Sequence, residues 1–121
     1  MDYVAFYNMS GKPIAWLSDD NNTIYLFSGE VVAWISDDSI YSFSGHHLGW
    51  FQDGWVRDHN GNCVFFTQDA KGGPSKPSKQ ARPARSSRSS RPARSAREAR
   101  PTKPSKSASW SSIHDEQFFR Q

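Results

Sequence analysis

Residues 24–38 read Ile-Tyr-Leu-Phe-Ser-Gly-Glu-Val-Val-Ala-Trp-Ile-Ser-Asp-Asp, and the first 70 residues of the 121-residue chain are this unit written four times. The copies align on turn glycines that lie 18, 16 and 16 residues apart: Gly11, Gly29, Gly45 and Gly61. A large ring follows five positions after each glycine, at Trp16, Trp34, Trp50 and Phe66. Because self-similarity at a fixed period indicates a repeat architecture, we interpret residues 1–70 as one domain of four repeats.

Each repeat predicts a β-hairpin. β-Branched and aromatic residues flank a Ser-Gly or Asn-Gly pair, and glycine supplies the positive φ angle that a tight hairpin turn needs. A second turn follows at Asp-containing sequences such as Ser36-Asp37-Asp38. Closure covers the edges that an open row of hairpins would expose. We therefore predict an all-β fold of four tandem hairpins closed in a pseudo-fourfold arrangement, and we favour a flower- or propeller-like form over a plain barrel.

The residue before each large ring is small in three repeats, at Ala15, Ala33 and Gly49, and is Phe65 in the fourth. This column indicates that the backbones approach one another near a central axis. We interpret the recurring tryptophans as core, because a domain of 70 residues is marginally stable without large apolar side chains. A stacking platform for a sugar or a nucleobase is the alternative. Assembly, or docking of the C-terminal segment, would also complete so small a domain.

Charge divides the chain into three parts. Residues 1–70 carry nine acidic groups against Lys12 and Arg57 (net −7), residues 71–109 carry twelve basic groups against Glu98 (net +11), and residues 110–121 have net −1, which together give +3. The middle part is rich in Arg, Lys, Pro, Ser and Ala, and its prolines share one column of a three-residue frame. High charge with low hydrophobicity predicts that residues 71–109 are a disordered linker.

Every third residue of this tail is basic from position 76 to position 106. A polyproline II helix has three residues per turn, so it would line these cations along one edge as a ribbon for polyanions. The candidate polyanion-binding residues are Lys76, Lys79, Arg82, Arg85, Arg88, Arg91, Arg94, Arg97, Arg100, Lys103 and Lys106. A solubilising linker without a ligand and contact with the acidic domain remain alternatives.

Residues 110–121 regain apolar character and predict a docking peptide. Ser112 followed by Asp115 resembles a capping box, which predicts a short helix. The candidate docking side chains are Trp110, Ile113, Phe118 and Phe119. The target is the domain itself, a neighbouring copy or a separate partner.

The fourth repeat departs most from the others, because Val56-Arg57-Asp58-His59 replaces Ile-Tyr-Leu-Phe. We single out Arg57, Asp58 and His59 as a candidate atypical surface. The structural alternatives are a solvated face on the closing hairpin and an interaction between Arg57 and Asp58, since terminal repeats are commonly atypical.

Histidines 46, 47 and 59 and Cys63 match no zinc-ligand spacing, and neighbouring histidines on a strand point to opposite faces. Nothing in the sequence supplies an oxyanion hole or an orienting partner for Cys63. We therefore assign no catalytic residue, no metal ligand and no cofactor.

The run from Gly45 to Asp58, with the Ala-Trp and Asp-Asp repeats before it, resembles small bacterial proteins named for a 4-fold β flower domain. The resemblance covers roughly residues 3–70, and the basic tail with its Trp-Ser and Phe-Phe ending is also similar to that group. It implies a flower fold and a bacterial source. It implies no catalytic residue.

The sequence favours a non-enzymatic interaction or scaffold module whose partner is an unknown protein or a second copy. Sequence-independent nucleic-acid binding through residues 71–109 is the alternative, and a hydrolase or metalloenzyme on the fourth repeat is a distant third. A single cysteine excludes an internal disulfide, and no apolar run approaches the length of about 18 residues that spans a membrane. We therefore predict a cytoplasmic protein without a membrane partner.

Overall fold

The computed structural model describes residues 3–121, and its head is a closed barrel of eight antiparallel strands in which sequence neighbours pair and β8 returns to β1. The strands are β1 Val4–Tyr7, β2 Pro13–Leu17, β3 Thr23–Leu26, β4 Val31–Ser36, β5 Ser39–Tyr41, β6 His47–Gln52, β7 Trp55–Arg57 and β8 Cys63–Phe66. The prediction of a closed all-β fold built from four hairpins is confirmed. The strands form one continuous barrel, not the separate blades of a propeller.

Each hairpin turns at the glycine that the sequence marks. The four turn glycines have φ angles from +80° to +99°, a region that L side chains rarely adopt. Polar side chains close the same turns: Asn8 accepts hydrogen bonds from the N–H groups of Ser10 and Lys12, each at 2.9 Å. The turns therefore form from local chemistry before any packing between hairpins.

The second set of turns explains the unequal spacing of the repeats. The pair Ile35 and Ile40 encloses residues 36–39, whereas the equivalent pair Leu17 and Ile24 encloses residues 18–23. The first repeat is two residues longer because its turn between β2 and β3 is longer.

Aliphatic and phenylalanine side chains fill the barrel. The interior cluster includes Phe6, Ile24, Ile40, Leu48, Val56 and Phe65, and it also contains the C-terminal Phe118 and Phe119. A Cβ atom added to Gly49 would lie 3.0 Å from the ring of Phe118. The small residues of the sequence column thus do not bring backbones together at an axis, because Phe118 occupies the space beside them.

The large rings lie on the outer face of the barrel, contrary to the interpretation that they form its core. They stack on a ring of the neighbouring strand at 5.0 to 5.4 Å between centroids: Trp16 on Tyr25, Trp34 on Tyr41 and Phe66 on Tyr7. Trp16 is nevertheless only 3% exposed and Trp34 only 6%. Something outside the barrel must cover them.

The cover is the rest of the chain. Residues 71–109, which we call the strap, run as an extended segment around the outside of the barrel, and residues 110–121, which we call the plug, end inside it. The predicted disordered linker is therefore not what forms, because the head binds the strap along its length. The plug contains a 3₁₀ helix at Asp115–Arg120, and no side chain caps it at His114, so the predicted capping box is absent.

Truncation of Phe118 tests whether the plug completes the barrel. Phe118 is fully buried, so Phe118→Ala should lower the free energy of unfolding by about 3–5 kcal/mol, which is a large share of the stability of a small domain. Urea unfolding followed by tryptophan fluorescence measures the change. The exposed neighbour provides the control, and Gln117→Ala should unfold as the parent does. Equal stabilities for Phe118→Ala and the parent would show that the barrel does not need the plug.

Candidate functional site

The backbone of the strap meets the head at a fixed interval. Six strap N–H groups donate to carbonyl groups at the four hairpin turns, over 2.8 to 3.2 Å: Gln80 to Gly11, Ser86 to Phe27, Ser89 to Gly29, Ser95 to Phe43, Glu98 to Gly45 and Ser107 to Gly61. The four donors that reach a turn glycine are residues 80, 89, 98 and 107. The strap therefore has a nine-residue repeat of its own, matched to the four repeats of the head.

The prolines complete this pattern. All six donors fall in one column of the three-residue frame, and the other six positions of that column from 74 to 107 are prolines: Pro74, Pro77, Pro83, Pro92, Pro101 and Pro104. Proline has no N–H group. Each position of this column between 74 and 107 therefore either donates to the head or has no hydrogen to donate.

The turn glycines have a second role that φ angles alone do not show. The carbonyl oxygens of Ser78, Ser87, Ala96 and Ser105, again nine residues apart, pass over the four turn glycines, and an added Cβ atom would lie 1.9 to 2.2 Å from them. Glycine is therefore required both for the turn and for the approach of the strap. Sequence reasoning identified only the first requirement.

The cation column of the strap faces the stacked rings. The guanidinium carbon of Arg85 lies 4.5 Å from the centroid of Trp16, and that of Arg94 lies 4.0 Å from the centroid of Trp34. Arg88 and Arg97 lie over the same ring pairs at 5.6 to 6.0 Å. Cation–π attraction is strongest over tryptophan. The rings are thus a stacking platform, and its ligand is the arginine of the strap.

Further cations reach the tyrosines and the acidic corners. The tyrosine hydroxyl groups accept hydrogen bonds from Arg82 at Tyr7, from Arg91 at Tyr25 and from Arg100 at Tyr41. The ion pairs are Arg91 with Asp20, Arg100 with Asp37, Lys103 with Asp38 and Lys106 with Asp53. The hydrogen bond from Lys106 holds the pKa of Asp53 below its usual value. Such exposed pairs contribute little individually, so they set charge complementarity more than stability.

Two lysines begin the column. Lys76 donates to the carbonyl oxygen of Ala70 at 2.9 Å and to that of Gln68 at 3.3 Å, while Lys79 is exposed. Ten of the eleven candidate polyanion-binding residues thus contact the head, and Lys79 is the exception within residues 3–121.

The fourth repeat exchanges the partners of this interface. Arg57 occupies the position that tyrosine holds in the other three repeats, and its Nη1 donates to the carbonyl oxygens of Gly61 at 2.6 Å and Ser107 at 2.7 Å. The strap position nine residues after Arg100 is Ser109, not arginine. The head therefore supplies the arginine where the strap lacks it. Arg57 is 3% exposed, so the interpretation of a solvated face is wrong for it.

Asp58 is also buried, at 2% exposure. Its Oδ1 accepts from the N–H groups of Asn60 at 2.9 Å and Asn62 at 3.0 Å, and its Oδ2 accepts from the Ser111 hydroxyl of the plug. Asp58 thus closes a hairpin turn and anchors the plug. It does not pair with Arg57.

The histidines form a small cluster beside the third and fourth repeats. His47 Nδ1 lies 3.0 Å from Nε2 of the exposed His59, and the His47 ring packs edge-on against Tyr41 and Trp50. Burial, together with the nearby charges of His59 and Arg100, lowers the pKa of His47 to about 4. No group of three or more metal-ligating side chains occurs in residues 3–121.

Cys63 lies against the end of the strap. Its N–H donates to Ser109 at 2.9 Å, its carbonyl accepts from Ser111 at 2.8 Å, and burial raises the pKa of its thiol. The plug then continues with Trp110 packed edge-on against Trp55 at 5.6 Å and with Ile113 half-buried.

The plug ends in polar contacts as well. Arg120 donates two hydrogen bonds to Glu30, at 2.7 and 3.0 Å, and these lower the pKa of Glu30. All four candidate docking side chains, Trp110, Ile113, Phe118 and Phe119, therefore contact the head of their own chain.

A family model described as 4-fold beta flower protein matches residues 4–119. This chain belongs to the 4-fold beta flower family. The match extends far beyond the head, so the strap and most of the plug are parts of the beta flower domain. Comparisons with curated proteins and with solved structures give no match. No helix in residues 3–121 of this beta flower protein is long and apolar enough to cross a membrane.

The low pKa of His47 predicts acid sensitivity. Because the unfolded chain takes up a proton near pH 6.5 and the folded chain only near pH 4, stability is unaffected above about pH 7 and falls between pH 6.5 and pH 4, by at most about 3 kcal/mol. Carboxylates with lowered pKa, such as Asp53 and Glu30, add a loss only below about pH 4.

Urea unfolding at half-unit pH steps measures this loss. The control is His47→Val, which copies Val31 at the equivalent position of the second repeat and should remove the slope between pH 6.5 and pH 4. A slope of the same size in the variant would assign the acid sensitivity to other groups.

Proposed function

We propose that this beta flower protein is a non-enzymatic interaction module whose barrel recognises an extended, basic, proline-containing segment. Its own strap is the resident ligand. The observation that carries the proposal is the recurrence of the same contacts at four turns, with strap donors nine residues apart at Gln80, Ser89, Glu98 and Ser107.

Each turn offers the same three means of recognition. Carbonyl groups of the turn accept from the strap backbone, stacked rings receive guanidinium groups, and aspartates of the neighbouring corners receive the remaining cations. Backbone bonds provide affinity without regard to side chains, whereas the rings and acids select a cation at every third position. Proline adds to the selection because it reduces the freedom that an extended ligand loses on binding.

This architecture also specifies the partner class. A segment that replaces the strap must have a cation in one column, proline or a free N–H in the second, and small residues in the third. The strap of a second copy meets all three conditions, and so would a basic segment of similar composition in another protein. The proposal includes no enzymatic step, no cofactor and no membrane, and the buried free thiol of Cys63 favours a reducing cytoplasm.

Sequence-independent nucleic-acid binding through the strap is the second candidate. It is favoured by the exposure of the ion pairs, since Asp37 is 82% exposed and Asp53 57% exposed, so phosphate groups can compete with them. It is weaker because the cation column faces the head. Nucleic acid would have to displace the strap before it met a ribbon of charge.

A nicked chain tests the leading proposal. A recognition sequence for a specific protease is inserted after Gly72, whose surroundings are open, and the chain is cleaved once the protein has folded. The fragments should remain associated during gel filtration, and a fluorescent copy of residues 73–121 should exchange into the complex. The exchange assay gives the dissociation constant.

The strap and the plug both hold the fragment, so paired variants isolate the strap. Ser89→Pro removes the N–H that donates to Gly29, and it should raise the dissociation constant about 5- to 30-fold, equivalent to about 1–2 kcal/mol. Ser90→Pro places the same residue one column away, where no N–H reaches the head within residues 3–121, and should have little effect. Equal effects of the two variants would contradict recognition by the three-residue frame.

A further inference from the structure

The largest cleft lies between the strap and the first repeat. It has a volume of about 510 Å³, and its walls differ in chemistry. Val4 and Leu17 provide an apolar wall, Asp19 and Asn21 of the turn between β2 and β3 provide a polar wall, and the strap provides Arg85 and Arg88. A volume of 300 to 1,000 Å³ is typical of a site for a small organic ligand.

The cleft exists because the first repeat is longer than the others. Residues 18–23 form the longer turn, and Ser18, Asp19 and Asn21 of that turn line the cleft. The equivalent turns of the second and third repeats enclose four residues each, 36–39 and 52–55. The site is therefore a local departure from the pseudo-fourfold pattern.

The two arginines of the cleft also depart from the pattern. Nine residues on, Arg94 donates to Asn22 at 2.8 Å and Arg97 donates to Ser36 at 2.9 Å. Within residues 3–121, neither Arg85 nor Arg88 donates a hydrogen bond or forms an ion pair. Their contacts with the head are over the rings of Tyr3, Trp16 and Tyr25, which hold guanidinium groups without using their N–H donors.

Two guanidinium groups with unused donors can hold a phosphate group, because their N–H pairs match its oxygens. Asp19 would repel a phosphate but accepts hydrogen bonds from hydroxyl groups. A ligand that fits all three walls has a phosphate group at one end, hydroxyl groups in the middle and a planar apolar ring. Val4, which is 37% exposed, is available to pack against such a ring.

We propose that this cleft, between Arg85 and Arg88 of the strap and the long turn of the first repeat, binds a nucleoside monophosphate. The phosphate lies at the two arginines, the ribose hydroxyl groups at Asp19 and the base against Val4 and Leu17. Because the strap forms one side of the site, the ligand binds only the strapped form of the protein. The site goes beyond peptide recognition, since it uses arginines that the ring contacts leave with free donors.

The test is titration of the full chain with adenosine monophosphate, followed by calorimetry and by the indole N–H signal of Trp16 in a two-dimensional NMR spectrum. The parent should bind, and the Trp16 signal should shift while that of Trp34 stays in place. Arg85→Gln with Arg88→Gln should weaken binding at least about tenfold. The matched control, Arg94→Gln with Arg97→Gln, removes two strap charges in the next repeat and should change binding less than about twofold.

Three further probes separate the parts of the ligand. Inorganic phosphate should bind more weakly than the nucleotide, adenosine should not bind measurably, and Asp19→Asn should weaken binding of the nucleotide but not of phosphate. The proposal fails if the parent does not bind the nucleotide at about 10 mM, where even a millimolar site is occupied. It also fails if both arginine pairs weaken binding equally, or if single-stranded DNA binds with a steep salt dependence that both pairs reduce alike, since either result indicates diffuse attraction to the strap.

Discussion

The structure depends on the fit between a three-residue frame in the strap and a fourfold arrangement of turns in the head. Three triplets carry the strap from one hairpin turn to the next, so the same column of the frame arrives at each turn with its N–H toward a carbonyl group. Proline fills the remaining positions of that column. The stacked rings on the outer face can remain apolar because arginines cover them, and the glycines must lack a side chain because the strap passes over them.

The fourth repeat shows how specific this fit is. Tyr7, Tyr25 and Tyr41 receive arginines from the strap, whereas Arg57 takes the tyrosine position and reaches the strap backbone where the cation column has ended. A change in the head coincides with a change in the strap. The residues that looked most like an active site, Arg57, Asp58 and His59, therefore include two that close the wrap and the plug, and the third packs on His47.

Much of the head could be predicted from sequence because its signals are local. Turn glycines, alternating apolar residues and acidic corners each act within a few positions, and they are enough to define four hairpins and their closure. The inside and the outside were not distinguishable, because both faces of the strands are apolar. Ala15, Ala33 and Gly49 did indicate unfilled space, but the chain segment that fills it lies about 70 residues away and ends in Phe118.

The strap could not be predicted as ordered, because composition alone describes a segment without its receptor. Low hydrophobicity means that the strap has no core of its own, yet a surface of carbonyl groups, rings and carboxylates can order it through many weak contacts. The signal was present in the sequence. Prolines and cations hold separate columns of one frame, and Gln80, Ser89 and Glu98 interrupt the proline column nine residues apart.

Hydrogen exchange of the strap amides, resolved residue by residue by NMR, tests this account most directly. Recognition by the three-residue frame predicts slow exchange at Gln80, Ser86, Ser89, Ser95, Glu98 and Ser107, and fast exchange at the amides of the other two columns from position 76 to position 106. Exchange at the rate of an unstructured chain at all of these positions would contradict the account, because it would mean that the head does not hold the strap.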